Sequence, residues 1–106
     1  MSPIALTATA LDDSSITIAL SGELDIATVG RIEPVLSRLA TGRAPEVRLD
    51  LSGVTFCDSS GVALFLRVHQ RCAAKGGRLR LCLVPRLCAK MLRVLRVDDT
   101  IPCSFA

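Results

Sequence analysis

The sequence predicts a single α/β domain with the element order ββαβαβα, in which a mixed four-stranded sheet carries its helices mainly on one face. The chain of 106 residues, half of them apolar, is long enough for one compact domain and too short for two, so residues 1–106 form one unit. Apolar residues alternate along the strand segments and recur at three- and four-residue steps along the helical ones. Such clean alternation is typical of a sheet with one open face.

The first two strands form a predicted β-hairpin, because two alternating apolar runs flank the polar turn Asp12-Asp13-Ser14. A helix follows, and Gly42 and Pro45 mark its end. The apolar positions of the hairpin are Ile4, Leu6, Ala8, Ile16, Ile18 and Leu20, and those of the helix are Val29, Ile32, Val35, Leu36 and Leu39.

The second half of the chain repeats the strand-helix alternation. A third strand runs to a predicted turn at Gly53 and continues to Phe56, and the helix after it ends at Gly76-Gly77. A fourth strand and a last helix, which opens after Pro85, complete the domain. The predicted apolar faces of these two helices are Val62, Phe65, Leu66, His69 and Ala73, then Leu87, Cys88, Met91, Leu92 and Leu95. The open face of the sheet should carry Arg48, Asp50, Arg78 and Arg80.

The composition excludes several classes of function. The five cysteines form no C-x-x-C pair and there is a single His, so we expect no metal and no cofactor. The first eleven residues lack the basic start of a signal peptide, and no run of 18 apolar residues predicts a membrane span. We therefore expect a cytoplasmic protein with free thiols and no membrane partner.

The charge distribution raises nucleic-acid binding as an alternative. Residues 1–53 hold four Arg against seven Asp or Glu, a charge of −3, whereas residues 54–106 hold nine Lys or Arg against three Asp, a charge of +6. However, the chain has no Trp or Tyr and no helix-turn-helix pattern, so we do not expect direct nucleic-acid binding. The predicted basic stripes are Arg67/Arg71/Lys75 and Arg86/Lys90/Arg93.

The segment Cys57-Asp58-Ser59-Ser60-Gly61 is the candidate site, because it places two hydroxyls and a carboxylate at a helix N-terminus. Asp58 or Ser59 can cap the helix, and Gly61, which lacks a Cβ, would leave the neighbouring hydroxyl open to an approaching protein. The alternative is that the carboxylate and the two hydroxyls only cap the helix. An enzymatic role is disfavoured because the glycine of a nucleophile elbow is missing before the serine and the only His lies on the same helix. A phosphate-binding loop is disfavoured because residues 52–61 contain no Lys.

The residues of this segment carry a resemblance to a known family. The stretch DLSGVTFCDSSG at 50–61, KGGRL at 75–79 and SGELD at 21–25 resemble the STAS domain of bacterial anti-sigma-factor antagonists. The likeness covers nearly the whole chain, and the ββαβαβα order fits a STAS-like domain. Two positions depart from the family's usual pattern, since Ala63 and Arg96 stand where the family often has Gly.

The resemblance implies a phosphorylation switch and no enzymatic activity. Ser59 falls on the phosphoacceptor, and Asp58, Ser60 and Gly61 would support it. The unphosphorylated form would bind an anti-sigma factor with serine kinase activity and release its sigma factor, and a serine phosphatase would reverse phosphorylation. The alternative is a scaffold or sensory-complex module in which Ser59 is never modified. The partner-binding residues implied by family and fold are Glu23, Leu24, Asp25, Thr28, Val62 and Phe65, together with Gly61.

Overall fold

A computed structural model describes residues 4–10 and 12–106, apart from the side chain of Ala10. Residues 1–3 and 11 of the predicted N-terminal segment lie outside this description. The strands are β1 Ile4–Ala10, β2 Ser15–Leu24, β3 Glu46–Cys57, β4 Arg78–Val84 and β5 Cys103–Phe105. The helices are α1 Ile26–Ala40, α2 Ser59–Ala74 and α3 Arg86–Val94, with a short 3-10 turn at Val97–Asp99.

Over residues 4–10 and 12–106 the sheet has five strands, in the order β1-β2-β3-β4-β5, where the sequence predicted four. The hairpin of β1 and β2 is antiparallel as predicted, and β2 to β5 run parallel, so the sheet is mixed. The missed strand, β5, is three residues long and follows Pro102. So short a segment carries too little alternation to be recognised without its neighbour β4.

The helices cover one face of the sheet, as predicted. Alternate residues of the central strands are fully buried against them, for example Leu49 and Leu81, which are register partners. On the other face, Arg48 and Arg80 are register partners and both are exposed. Arg78 is likewise exposed and Asp50 is half-buried, so the predicted open face is confirmed.

The buried faces of the helices differ in part from the predicted ones. On α1, Val35 is 43% exposed. Leu87 on α3 and Leu95 directly after it are exposed, because the side of α3 that is buried carries Cys88, Ala89 and Leu92. On α2, the positions facing the core include Leu64, Val68 and Cys72, whereas Leu66 and His69 lie at its edge and Ala73 is exposed.

Strand β3 runs through Gly53 without the predicted turn. A Cβ on Gly53 would lie 2.7 Å from the Cβ of Ser21 on β2, so glycine here permits close approach of two strands. The β2–β3 register shifts on both sides of this contact, and Gly22 adopts a φ of 112° that favours glycine. These irregularities bring the ends of β2 and β3 level, with Leu24 opposite Cys57.

Among the residues that the structure describes, no helix is both long and apolar enough to cross a membrane.

Candidate functional site

Two helix N-termini lie side by side at the edge of the sheet where β2 and β3 end. Leu24 and Cys57 are register partners, and each is followed directly by an aspartate, Asp25 or Asp58, that caps a helix. The backbone N–H of Asp58 donates to the carbonyl of Leu24 at 3.2 Å. The predicted site segment and the SGELD segment are therefore brought together by strand pairing.

The start of α1 is closed by a reciprocal capping box. The Oδ1 atom of Asp25 accepts from the backbone N–H groups of Ala27 at 3.0 Å and Thr28 at 2.9 Å. In return, Thr28 Oγ1 accepts from the backbone N–H of Asp25 at 2.9 Å and donates to the carbonyl of Glu23 at 2.7 Å. The hydrogen bond from the Thr28 N–H is the main cause that lowers the pKa of Asp25. Thr28 is buried, so its hydroxyl is committed to the fold.

The start of α2 uses its aspartate in the same way but leaves a serine outside. Asp58 Oδ1 accepts from the backbone N–H of Ser60 at 2.8 Å and thereby caps the helix. Ser59 occupies the first helical position and is exposed, while Ser60 is half-buried. Of the two residues that could have capped α2, it is Asp58 that does so, which leaves the Ser59 hydroxyl available to a partner.

Gly61 faces the interior, which differs from the predicted reason for a glycine at this position. A Cβ on Gly61 would lie 2.6 Å from Cys57 Sγ and 3.2 Å from Leu24 Cβ. The glycine therefore lets α2 pack closely on the ends of β2 and β3. The adjacent Cys88 thiol and burial raise the pKa of Cys57, so this sulfur acts as a small apolar group at neutral pH.

A shallow groove of about 380 Å³ runs between α1 and α2 and includes both serines. Ile26, at the first turn of α1, is 80% exposed beside them. Ala63, one turn after Ser59 on α2, leaves space in the groove because its side chain is a single methyl group. The lining residues are Ile26, Val29, Ser59, Ser60, Ala63 and Arg67.

An ion cluster joins the two helices at the far end of this groove. Arg67 binds Glu33 through two bonds, Nε to Oε2 at 2.9 Å and Nη2 to Oε1 at 2.7 Å. Arg71 Nη1 adds a third bond to Glu33 Oε2 at 2.9 Å. The hydrogen bonds from Arg67 contribute most, and together with the bond from Arg71 they lower the pKa of Glu33 from 4.5 to about 2.

The predicted basic stripe on α2 is therefore largely paired with the protein itself. Arg67 and Arg71 bind α1, and Lys75 Nζ donates to the carbonyls of Gly42 and Ala44 in the loop after α1. This arrangement weakens the nucleic-acid alternative, because these cations are not a free row facing solvent. Arg86, Lys90 and Arg93 of the second stripe are exposed on α3.

Of the seven residues predicted to bind a partner, Gly61 and four others are buried and must be reassigned. Leu24, Thr28, Val62 and Phe65 are at most 4% exposed, so their side chains belong to the core and cannot contact another protein in this conformation. Matching a motif identifies residues near a site but does not say which way each side chain points. Glu23 and Asp25 are half-buried and lie at the rim of the groove end.

Two exposed apolar residues of this region were missed from the sequence. Ile26 is the first residue of α1, and Phe56, 46% exposed, is opposite Glu23 in the β2–β3 register. Apolar spacing gave no signal for either residue, since Ile26 lies three positions before Val29 and Phe56 two positions after Val54. Exposed large apolar side chains near a groove indicate a protein-binding surface.

A larger cleft, of about 600 Å³, lies at the opposite end of the domain, between the β1–β2 turn and the end of α1. It includes Asp12, Arg38 and Arg43. Asp12 Oδ1 accepts from Ser14 and Ser15, and these bonds hold the turn and lower the pKa of Asp12. We assign this carboxylate to the turn rather than to a ligand.

The fold and the serine-bearing helix start define the class of this protein. A family model described as "Mlab, STAS domain" matches residues 7–102. The chain belongs to the STAS domain family. A comparison with curated proteins found no significant match.

Solved structures with the same fold include several anti-sigma factor antagonists. One from Mycobacterium paratuberculosis has a TM-score of 0.84 and 20% identity, covering 95% of this chain and 85% of that chain. The unphosphorylated form of the antagonist SpoIIAA has a TM-score of 0.78 and 24% identity, covering 94% and 88%. A STAS domain protein from Planctomyces limnophilus, also an anti-sigma-factor antagonist, has a TM-score of 0.76 and 25% identity, covering 97% and 89%.

Proposed function

We propose that this chain is an anti-sigma factor antagonist controlled by phosphorylation of Ser59. In this proposal the unphosphorylated form binds an anti-sigma factor with serine kinase activity in the cytoplasm and thereby releases a sigma factor. The kinase transfers the γ-phosphoryl group of ATP to Ser59 Oγ and releases ADP, which ends binding, and a serine phosphatase restores the hydroxyl. The chain itself acts as a binding partner and substrate, not as a catalyst.

The observation that carries the proposal is that, at the start of α2, the cap is provided by Asp58 and not by Ser59. Asp58 caps the helix, so Ser59 has no structural task there and its exposed hydroxyl lines the groove beside Ile26. The fold agrees, since the structural neighbours named above are anti-sigma factor antagonists. One of them, the Bacillus cell fate determinant SpoIIAA, has also been solved in a phosphorylated form.

In this proposal the phosphate weakens binding at the interface with the partner and does not destabilise the fold. A phosphoserine carries about −1.5 to −2 charges at pH 7. A helix N-terminus stabilises a nearby anion by roughly 0.3 to 1 kcal/mol, so α2 tolerates the group. At an interface, burying the phosphate or opposing it to a like charge costs several kcal/mol. Each 1.4 kcal/mol, roughly, lowers affinity tenfold, and the partner is released.

The proposed contact surface follows from the exposed residues of the groove end. Ser59 and Ile26 form its centre, and Glu23 and Asp25 form an acidic rim. An apolar anchor surrounded by charges is the usual arrangement of a protein-binding hot spot. The four buried residues named above would act by holding this surface in place.

The test compares two substitutions at Ser59 with respect to binding of a purified anti-sigma factor kinase from the same genome. Ser59→Asp should keep the melting temperature and lose at least about tenfold in affinity, measured by calorimetry. Ser59→Ala should keep both the fold and the affinity. Equal affinities for the Asp and Ala variants would contradict the proposal.

A second candidate is a constitutive interaction module whose Ser59 is never modified. This candidate is favoured by the exposed surface itself, because Ile26 is 80% exposed beside the Ser59 hydroxyl and can bind a partner without any modification. It predicts that Ser59→Asp leaves partner binding unchanged, whereas Ile26→Asp on the same surface abolishes it.

A further inference from the structure

We propose that Arg67 is an intramolecular binding residue for the phosphoryl group on Ser59, and that it exchanges Glu33 for the phosphate when Ser59 is phosphorylated. The inference rests on the proposed function, because it concerns the same modification. It adds a second state of the α1–α2 groove, in which Arg67 no longer binds Glu33 while Arg71 still does.

The geometry brings the serine and the arginine into one groove. Ser59, Ala63 and Arg67 lie on the same side of α2, at steps of four residues, and all three line the groove. Ser59 and Arg67 are eight positions apart, which corresponds to about 12 Å along the helix axis. Helical side chains lean toward the N-terminus, so an extended Arg67 leans toward Ser59 and can reach over the small Ala63 to a phosphate at the start of the helix.

The ion cluster contains more positive than negative groups. Two guanidinium groups, Arg67 and Arg71, share the single carboxylate of Glu33, so the cluster carries a net charge of +1. If Arg67 leaves, Glu33 keeps the 2.9 Å bond to Arg71 and is not stranded without a partner. The exchange therefore costs little, because the side chain of Arg67 is already 42% exposed.

The other charges near Ser59 direct the phosphate toward Arg67. Asp58 precedes the serine, and Asp25 caps the neighbouring helix, so the sheet end of the groove is acidic. Arg67 is the only cation among the groove residues that the structure describes. A phosphate dianion is bound best by a planar guanidinium, which offers two parallel N–H donors.

The experiment installs phosphoserine at position 59 during translation, so that no kinase is needed and the result does not depend on whether Ser59 is modified in the cell. The pKa of the phosphate is measured by ³¹P NMR titration in the full chain. With Arg67 present, we expect this pKa to lie below the usual value of about 6. Arg67→Gln should raise it by about one unit, since an adjacent opposite charge favours the ionised form.

Lys75→Gln is the matched control, because it removes a positive charge from the same basic stripe, two turns beyond Arg67, and leaves both arginine bonds to Glu33 in place. It should raise the phosphate pKa by less than half as much as Arg67→Gln. Equal shifts for the two variants, or no shift for Arg67→Gln, would overturn the proposal.

A second measurement needs no substitution. The Nε–H resonance of Arg67 reports its bond to Glu33, and it should move when phosphoserine replaces Ser59. An unchanged resonance would overturn the exchange. Equal affinities of the Ser59→Asp and Ser59→Ala variants for the kinase would instead contradict the proposed function and leave this result standing.

Discussion

The neighbouring helices α1 and α2 are both capped by an aspartate, but the hydroxyl groups near the two caps differ in burial. Both α1 and α2 begin after an aspartate whose carboxylate accepts backbone N–H groups. At α1 the following hydroxyl, of Thr28, is buried and returns a hydrogen bond to the cap, whereas at α2 the Ser59 hydroxyl is exposed. A hydroxyl that is not needed by the fold can be modified without unfolding it. The contrast separates a helix start whose hydroxyl serves the fold from one whose hydroxyl is open to the proposed modification.

The largest expected effect tests how tightly the α2 start is packed. Gly61→Ala should lower the free energy of unfolding by about 1 to 3 kcal/mol, because the new Cβ would overlap Cys57 Sγ. The matched control is Gly30→Ala in the interior of α1, where a Cβ would meet nothing within 4 Å. This control should stabilise the chain by about 1 kcal/mol through helix propensity. Urea unfolding of both variants measures the difference, and equal effects would contradict the packing described.

A smaller effect should separate the two sets of hydroxyls. Thr28→Val should cost about 1 to 2 kcal/mol, since it leaves the backbone N–H of Asp25 and the carbonyl of Glu23 without this partner. Ser59→Ala should change stability by less than about 0.5 kcal/mol, because Ser59 is exposed. Thermal melts monitored by circular dichroism give both values. A large loss for Ser59→Ala would show that this serine is structural after all.

The smallest effect concerns the bridge between α1 and α2. The pKa of Glu33 is lowered from 4.5 to about 2 in the fold, so its contribution to stability is present above pH 4.5 and is lost as the pH falls toward 2. Solvent screening at these half-exposed arginines limits that contribution to about 0.5 to 1 kcal/mol. The advantage of the unsubstituted chain over Glu33→Gln should shrink across this pH range in urea titrations. An advantage that does not depend on pH would exclude the ion cluster as its source.

Much of the fold could be predicted from periodicity. The hairpin, the three helices and the open face of the sheet each follow from local spacing of apolar residues. The strand β5 could not, because three residues gain their structure from pairing with β4. The uninterrupted β3 could not either, since Gly53 is explained by the close approach of Ser21 on another strand.

The candidate site was located by its motif, but its working surface was not. The buried positions of Val62 and Phe65 depend on how α2 docks onto the sheet, which no local pattern encodes. The bridge from Arg67 to Glu33 joins residues 34 positions apart, and either residue alone has the appearance of an ordinary surface charge. Side-chain direction and long-range pairing are properties of the folded chain.

The central claim is that Ser59 accepts a phosphoryl group, and intact-mass spectrometry tests it most directly. The chain is incubated with ATP and a purified anti-sigma factor kinase from the same genome, with Ser59→Ala as the control. We expect the addition of one phosphoryl group to the unsubstituted chain, mapped by peptide fragmentation to Ser59, and none to Ser59→Ala. An unmodified mass with a kinase that is bound and active on another substrate, or modification of the Ala variant to the same extent, would contradict it.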